Sequence, residues 1–222
     1  MVTYLREGKF MKPDLSSIEY KTAISVERMR QSDKYTIENF VPSKELMHRA
    51  ALGIYNSCKW EDKKIAIVCG SGNNGGDGYA LSCILKDKGI NPVIFRLSDK
   101  FSEDGKFYYD LAKKNGISDI LFSENTDFNE YDIIVDCILG TGFKGSPIGL
   151  VRDAINKINA SKTYVISADI NSGLNGDTGI ADIAVKSDLT VSIGFYKTGL
   201  FIGDAPLYIK DLINVDIGII LV

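Results

Sequence analysis

The sequence predicts an α/β protein, a three-layer αβα, Rossmann-like fold around a mostly parallel central sheet. Three observations carry that reading. Apolar, β-branched runs such as Lys64-Ile65-Ala66-Ile67-Val68 recur along the chain. Stretches with helical periodicity separate them, and strands that are apolar at every position belong in a parallel sheet covered on both faces. Three of the runs end in polar, glycine-rich segments, as the strand-to-helix turns of such sheets do.

Taken in order, residues 1–22 read as an N-terminal extension, turn-like at Lys12-Pro13-Asp14, and residues 23–222 as a single domain. Ser25 is a candidate N-cap for a first helix with Val26, Met29, Ile37 and Phe40 along one side. Val41-Pro42 separates it from a second helix capped by Ser43, whose apolar stripe is Leu46, Met47, Ala50, Ala51, Ile54, Tyr55 and Cys58. Elements then alternate: strand 64–69, helix 77–88, strand 91–97, helix 102–114, strand 131–136, helix 148–159, strand 163–169. Further strands are expected near 189–194, 206–209 and 213–217.

A chain of 222 residues that is 45% hydrophobic can bury one sizeable core. A net charge of −3 and an isoelectric point near 5.3 weigh against a nucleic-acid-binding surface. No apolar stretch reaches the length of a membrane span. Arg6, Glu7, Lys9, Lys12 and Asp14 interrupt any signal-peptide-like run, so a cytoplasmic location is expected. Cys58, Cys69, Cys83 and Cys137 lack C-x-x-C spacing and read as buried free thiols. The single histidine, His48, lies off the apolar stripe of its helix, which leaves neither a histidine-based triad nor a zinc site.

The chemistry therefore falls to the three loops. The first is Cys69 to Ala80, with Gly70, Gly72 and Gly75 in G-x-G-x-x-G spacing and with Asn73, Asn74, Gly76 and Asp77 added. A helix N-terminus entered through glycines is a phosphate site, and two amides and a carboxylate beside it suit a ligand with more than phosphate to recognise. The second runs from Asp136 through Gly140, Thr141, Gly142, Phe143, Lys144, Gly145 and Ser146, and the third from Asp169 through Ser172 to Gly179. Loops at strand carboxyl ends share one edge of a parallel sheet, so all three should converge. Asp77 reads equally as a residue favoured by the helix dipole or as a site contact, and Lys144 as a phosphate contact or a solvated lysine. Asn74, Asp136 and Ser172 together form a set of hard oxygen donors suited to an alkali or alkaline-earth cation, with potassium and magnesium both open.

In this order, NNGGDG at 73–78, V-D-x-x-x-G-T-G-x-x-G from Val135 and D-I-x-S-G-L-N-x-D-T-G from Asp169 resemble the NAD(P)H-hydrate epimerase, or YjeF N-terminal domain, family. Thr190 to Leu200, Val215 to Ile219, Ile24 to Arg30 and Leu46 to Ala51 extend the likeness from about Ala23 to the C-terminus. The resemblance implies an isomerase that interconverts the R and S forms of NADHX and NADPHX, reduced cofactor hydrated at C6 of the nicotinamide ring. It implies a potassium ion at Asn74, Asp136 and Ser172, and dinucleotide contacts from Asn73 to Asp77, from Gly140 to Ser146 and at Asp169. Asp169 is the choice for the general acid–base. A homodimer and a separate NAD(P)HX dehydratase are the implied partners, since family members are sometimes fused to that enzyme and this sequence ends where it would start. Two positions depart from the pattern: Asn171 stands where relatives usually carry proline, loosening the third loop, and His48-Arg49 replaces an acidic residue followed by Asn or Arg in the second helix.

Two other readings stay open on the residues alone. An NAD(P)-dependent dehydrogenase would use the G-x-G-x-x-G turn, with Asp99 at the ribose or Arg96 at a 2′-phosphate. A non-catalytic nucleotide- or RNA-binding dimerisation module of the same fold would need none of the acid–base residues.

Overall fold

The computed structural model describes residue 19 and residues 22–222, so the extension expected over 1–22 lies almost wholly outside the described residues. Helices α1 (Val26–Asn39) and α2 (Ser43–Asn56) lead into β1 (Ile65–Cys69), α3 (Asn73–Asp87), β2 (Val93–Arg96), α4 (Glu103–Lys114) and β3 (Ser118–Leu121). β4 (Ile133–Cys137), α5 (Gly149–Ala160), β5 (Tyr164–Ala168), β6 (Ser187–Ile193) and β7 (Ile209–Val215) complete the chain. The strands form one sheet in the order β3-β2-β1-β4-β5-β6-β7, parallel at every pairing.

Strand alternation builds the three layers. Ile65, Ile67 and Cys69 of β1 pack with Leu46, Ile54, Leu81 and Tyr108 of α2, α3 and α4, while Ala66 and Val68 pack with Ala154, Ile155 and Ile158 of α5. Both faces of β1 and β4 are covered, which is why those runs carry no polar alternation. α1 has a different seat. Its buried Ser32 and Thr36 take the backbone N–H groups of Val222 and Ile220, at 3.1 and 2.9 Å, so its polar face holds the end of the chain. No helix among the described residues is long and apolar enough to cross a membrane.

Several sequence expectations need correction. Ser25 caps α1 by accepting from Arg28 N–H, but Ser43 is the first residue of α2 and makes no cap bond. Phe40 caps the C-terminus of α1 and is 58% exposed rather than lining its core side. α3 begins at Asn73, so the segment read as a polar loop is the first turn of a helix. β3 was not expected: Ser118-Asp119-Ile120-Leu121 is a largely exposed edge strand with no continuous apolar run to mark it. The two strands expected near 206–209 and 213–217 are a 3-10 turn at Ala205–Leu207 followed by one strand, β7. All four cysteines are free, with Cys58 half-buried and the others buried.

Candidate functional site

The site follows from where the crossovers diverge. α3 leaves β1 toward one face of the sheet and α5 leaves β4 toward the other, so the carboxyl ends of these adjacent strands border an open crevice. The turn into α3 is tightly packed. A Cβ on Gly70 would lie 1.9 Å from the Ile138 carbonyl oxygen, and one on Gly75 would lie 2.1 Å from that of Gly70. One on Gly76 would meet Met47 Cε at 2.5 Å. These glycines let the turn and helices approach one another; among the described residues only Gly72 and Gly142 face open space with ordinary backbone. The first amides of α3 lack intrahelical acceptors by construction, which keeps them available to an anion.

The three loops meet at the Leu139 peptide. Its carbonyl accepts from Asn74 Nδ2 at 2.9 Å, and its N–H donates to Ser172 Oγ at 2.8 Å. Ser172 in turn donates to Asp136 through both hydroxyl and backbone N–H. Asp136 is fully buried and also accepts from Ser167 Oγ at 2.9 Å and Ile138 N–H at 3.2 Å. Burial pushes its carboxyl above the ordinary value, and those hydrogen bonds pull it back. Asn74 Oδ1 is buried and has no partner. Such an orphan acceptor is uncommon and asks for a positive ligand or a donor. No cluster of three or more His, Cys, Asp or Glu side chains able to hold a metal occurs among the described residues. The oxygens linked to Asn74 through Leu139 are instead the Ser172 hydroxyl and the Asp136 carboxylate, hard donors that suit an alkali or alkaline-earth cation.

Asp169 leaves β5 with φ +65°, one of two non-glycine residues among those described with positive φ. That conformation costs energy and recurs at functional sites. Asp169 Oδ2 lies 4.0 Å from where a Cβ on Gly140 would be, and Asn74 Cβ lies 3.3 Å from the same point, so Gly140 separates the two side chains. The other oxygen, Oδ1, is ion-paired with Lys197 Nζ, a side chain only 1% exposed. Asp77, half-buried in α3, has no opposing cation in contact. Burial, then the charges of Asp169 and Asp33, hold its carboxyl well above the ordinary carboxylate range. Asp33 on α1 is pushed up by burial and by Asp169.

Of the residues singled out from sequence, Asn74, Asp136, Ser172, Gly140 and Asp169 come together, with Asp77 near Asp169. Asn73, Gly142, Lys144, Gly145 and Ser146 are exposed on the rim, with Thr141 and Phe143 half-buried beside them. Gly75 and Gly76 fill packing positions. Asn171 does not loosen its loop. Its amide donates to Val185 O, Ser187 Oγ and Tyr208 O and accepts from Thr190 Oγ1, tying the loop by side chain. Arg96 is committed to Asp119 and Asp99, so it is not free for a 2′-phosphate. Sequence reasoning missed Lys197 and Asp33; the only signal for Lys197 was its place in the Thr190 to Leu200 segment.

Comparison with known proteins adds independent findings. A family model described as YjeF-related protein N-terminus matches residues 43–199. A protein of Weissella koreensis named NAD(P)H-hydrate epimerase is 33% identical over 205 residues, covering 89% of this chain and 91% of that one. One of the same name from Lentilactobacillus buchneri is 35% identical over 205 residues, covering 89% and 94%. One from Oenococcus oeni is 34% identical over 204 residues, covering 88% and 96%. The crystal structure of yeast ynu0 shares the fold with a TM-score of 0.70 at 22% identity, over 86% of this chain and 87% of that one.

Proposed function

This chain belongs to the YjeF-related protein N-terminus family, and on that premise we propose that it is an isomerase interconverting the R and S forms of hydrated NADH and NADPH. The observation that carries this reading at the residue level is Asp169. Its carboxylate stands at the crevice mouth in a left-handed backbone conformation, with one oxygen held by Lys197 and the other toward Gly140 and Asn74.

C6 of the hydrated ring is a hemiaminal carbon bearing a hydroxyl. Inverting it needs that hydroxyl to leave and return, or the ring to open and close. Either route needs one proton given and one recovered, with no net change in composition. Asp169 performs that transfer as general acid–base. The dinucleotide binds along Asn73 to Asp77 and Gly140 to Ser146, its phosphates on the amides at the start of α3. Asn74, Asp136 and Ser172 hold a potassium ion, which supplies fixed positive charge beside the loops. The protein works as a cytoplasmic homodimer alongside a separate NAD(P)HX dehydratase that consumes one epimer.

The dehydrogenase alternative loses support because Arg96 is occupied by Asp119 and Asp99. The test is direct: purified protein is given each separated epimer, and the mixture is followed by chromatography. Conversion from either side to one equilibrium ratio is expected. Failure to change either epimer, with hydride transfer to NAD or NADP from any alcohol tested, would sink the reading.

A further inference from the structure

Lys197 is a buried ammonium whose three donors are all spent inside the protein. They reach Asp169 Oδ1, Ile193 O at 2.8 Å and Ser192 Oγ at 3.4 Å. The backbone that carries it is clamped: Ile24 N–H donates to Tyr196 O at 2.9 Å and Thr198 N–H donates to Ile24 O at 3.1 Å. A buried cation is costly unless paired, and the carboxylate paired with this one is Asp169. The charged groups facing that carboxylate are Lys197, Asp33 from α1 and Asp77 from α3.

We propose that Lys197 is the positioning residue of the site, pinning Asp169 Oδ1 so that Oδ2 is presented to the ligand beside Gly140. With no donor left over, the ammonium does not reach substrate and acts only through Asp169. The proposal rests on the assignment of Asp169 as the proton-transfer group. Without the lysine, the Asp169 carboxylate loses the cation that is paired with it. The side chain is then also free to leave its left-handed seat.

The test compares the parent with Lys197→Met and Lys197→Arg, measuring kcat, KM and the pH profile on separated epimers, with circular dichroism to verify folding. Lys197→Met should lose about 100-fold in kcat with KM within about threefold, and the acid limb of the profile should move up, as follows from removing the cation paired with a proton-transferring carboxylate. A merely structural lysine would not move that limb. Lys197→Arg keeps the charge but cannot aim a planar fork at three acceptors, so kcat should fall about fivefold or more with the limb unmoved. A folded Lys197→Met with parental kcat and limb overturns the proposal while the epimerase reading stands. If Lys197→Met does not fold, Lys197→Arg decides: full kcat overturns the proposal, and reduced kcat at parental KM and limb supports it. A parent inactive on both epimers overturns both readings together.

Discussion

Asn74 donates its side-chain N–H to the Leu139 carbonyl at 2.9 Å, and this bond fixes its Oδ1 in a buried position with no partner. An oxygen so placed gains most from a cation. Potassium chloride, compared with choline chloride at equal ionic strength, should therefore raise the melting temperature. Asn74→Ala should remove that difference, because stabilisation by a bound ligand scales with its occupancy of the folded state. Equal melting in both salts for the parent contradicts a cation at Asn74.

Asp169→Asn should lose about two to four orders of magnitude in epimerisation while still binding dinucleotide. Asparagine tolerates the φ of +65° that position 169 adopts, so the backbone need not move. Single-turnover conversion of one epimer, read by chromatography, is the measurement. Activity within threefold of the parent removes Asp169 from the proton-transfer role.

Asp77 gives a pH signature of stability. Burial and its acidic neighbours raise its carboxyl in the folded protein, so between about pH 4 and that raised value the folded form binds more protons than the unfolded. Stability from this group is thus present at low pH and lost as pH rises. The melting temperature should fall as pH rises above the ordinary carboxylate range. Asp77→Asn should flatten that slope and raise the melting temperature at the upper end. Asp33 is raised too, so some slope should persist. Parallel curves for parent and variant would show that Asp77 is already ionised at low pH.

The alternation of strand and helix was legible because buried parallel strands have no polar phase to confuse, as in Ile65 to Cys69. The acidic strand ends, Asp136 and Asp169, were legible because a carboxylate after an apolar run stands out. β3 was not, since an exposed edge strand need not be apolar. The start of α3 was misread because Asn73, Asn74, Gly75 and Gly76 are poor helix formers. Close packing against Gly70, Met47 and Gly105 overrides that propensity. Lys197 was hidden for a different reason. A lysine is ordinarily a surface residue, and it takes contacts made by the folded chain, above all the pairing with Asp169, 28 positions away, to turn it inward.

The phosphate-binding end of the crevice can be tested by a glycine that the fold does not need. Gly75 is unsuitable, since a side chain there would meet the Gly70 carbonyl oxygen at 2.1 Å and break the turn before any ligand arrived. Gly53 fails as a control because its Cβ would sit 2.8 Å from Val215 Cγ2. Gly72 has neither defect. It is the N-cap of α3 with φ −91°, a backbone any residue adopts, and a Cβ there meets nothing within 4 Å. Gly72→Val should cost under about 1 kcal/mol of stability, the scale of an unfavourable cap. Its branched side chain would stand over the free amides that a pyrophosphate must approach. Calorimetric titration with hydrated NADPH should therefore show at least about tenfold weaker binding at nearly parental melting temperature, since excluding one charged contact costs on the order of 1.4 kcal/mol or more. Parental affinity in a folded Gly72→Val would mean that the phosphates lie away from the start of α3, and the dinucleotide would have to be redrawn along the Gly140 to Ser146 rim alone.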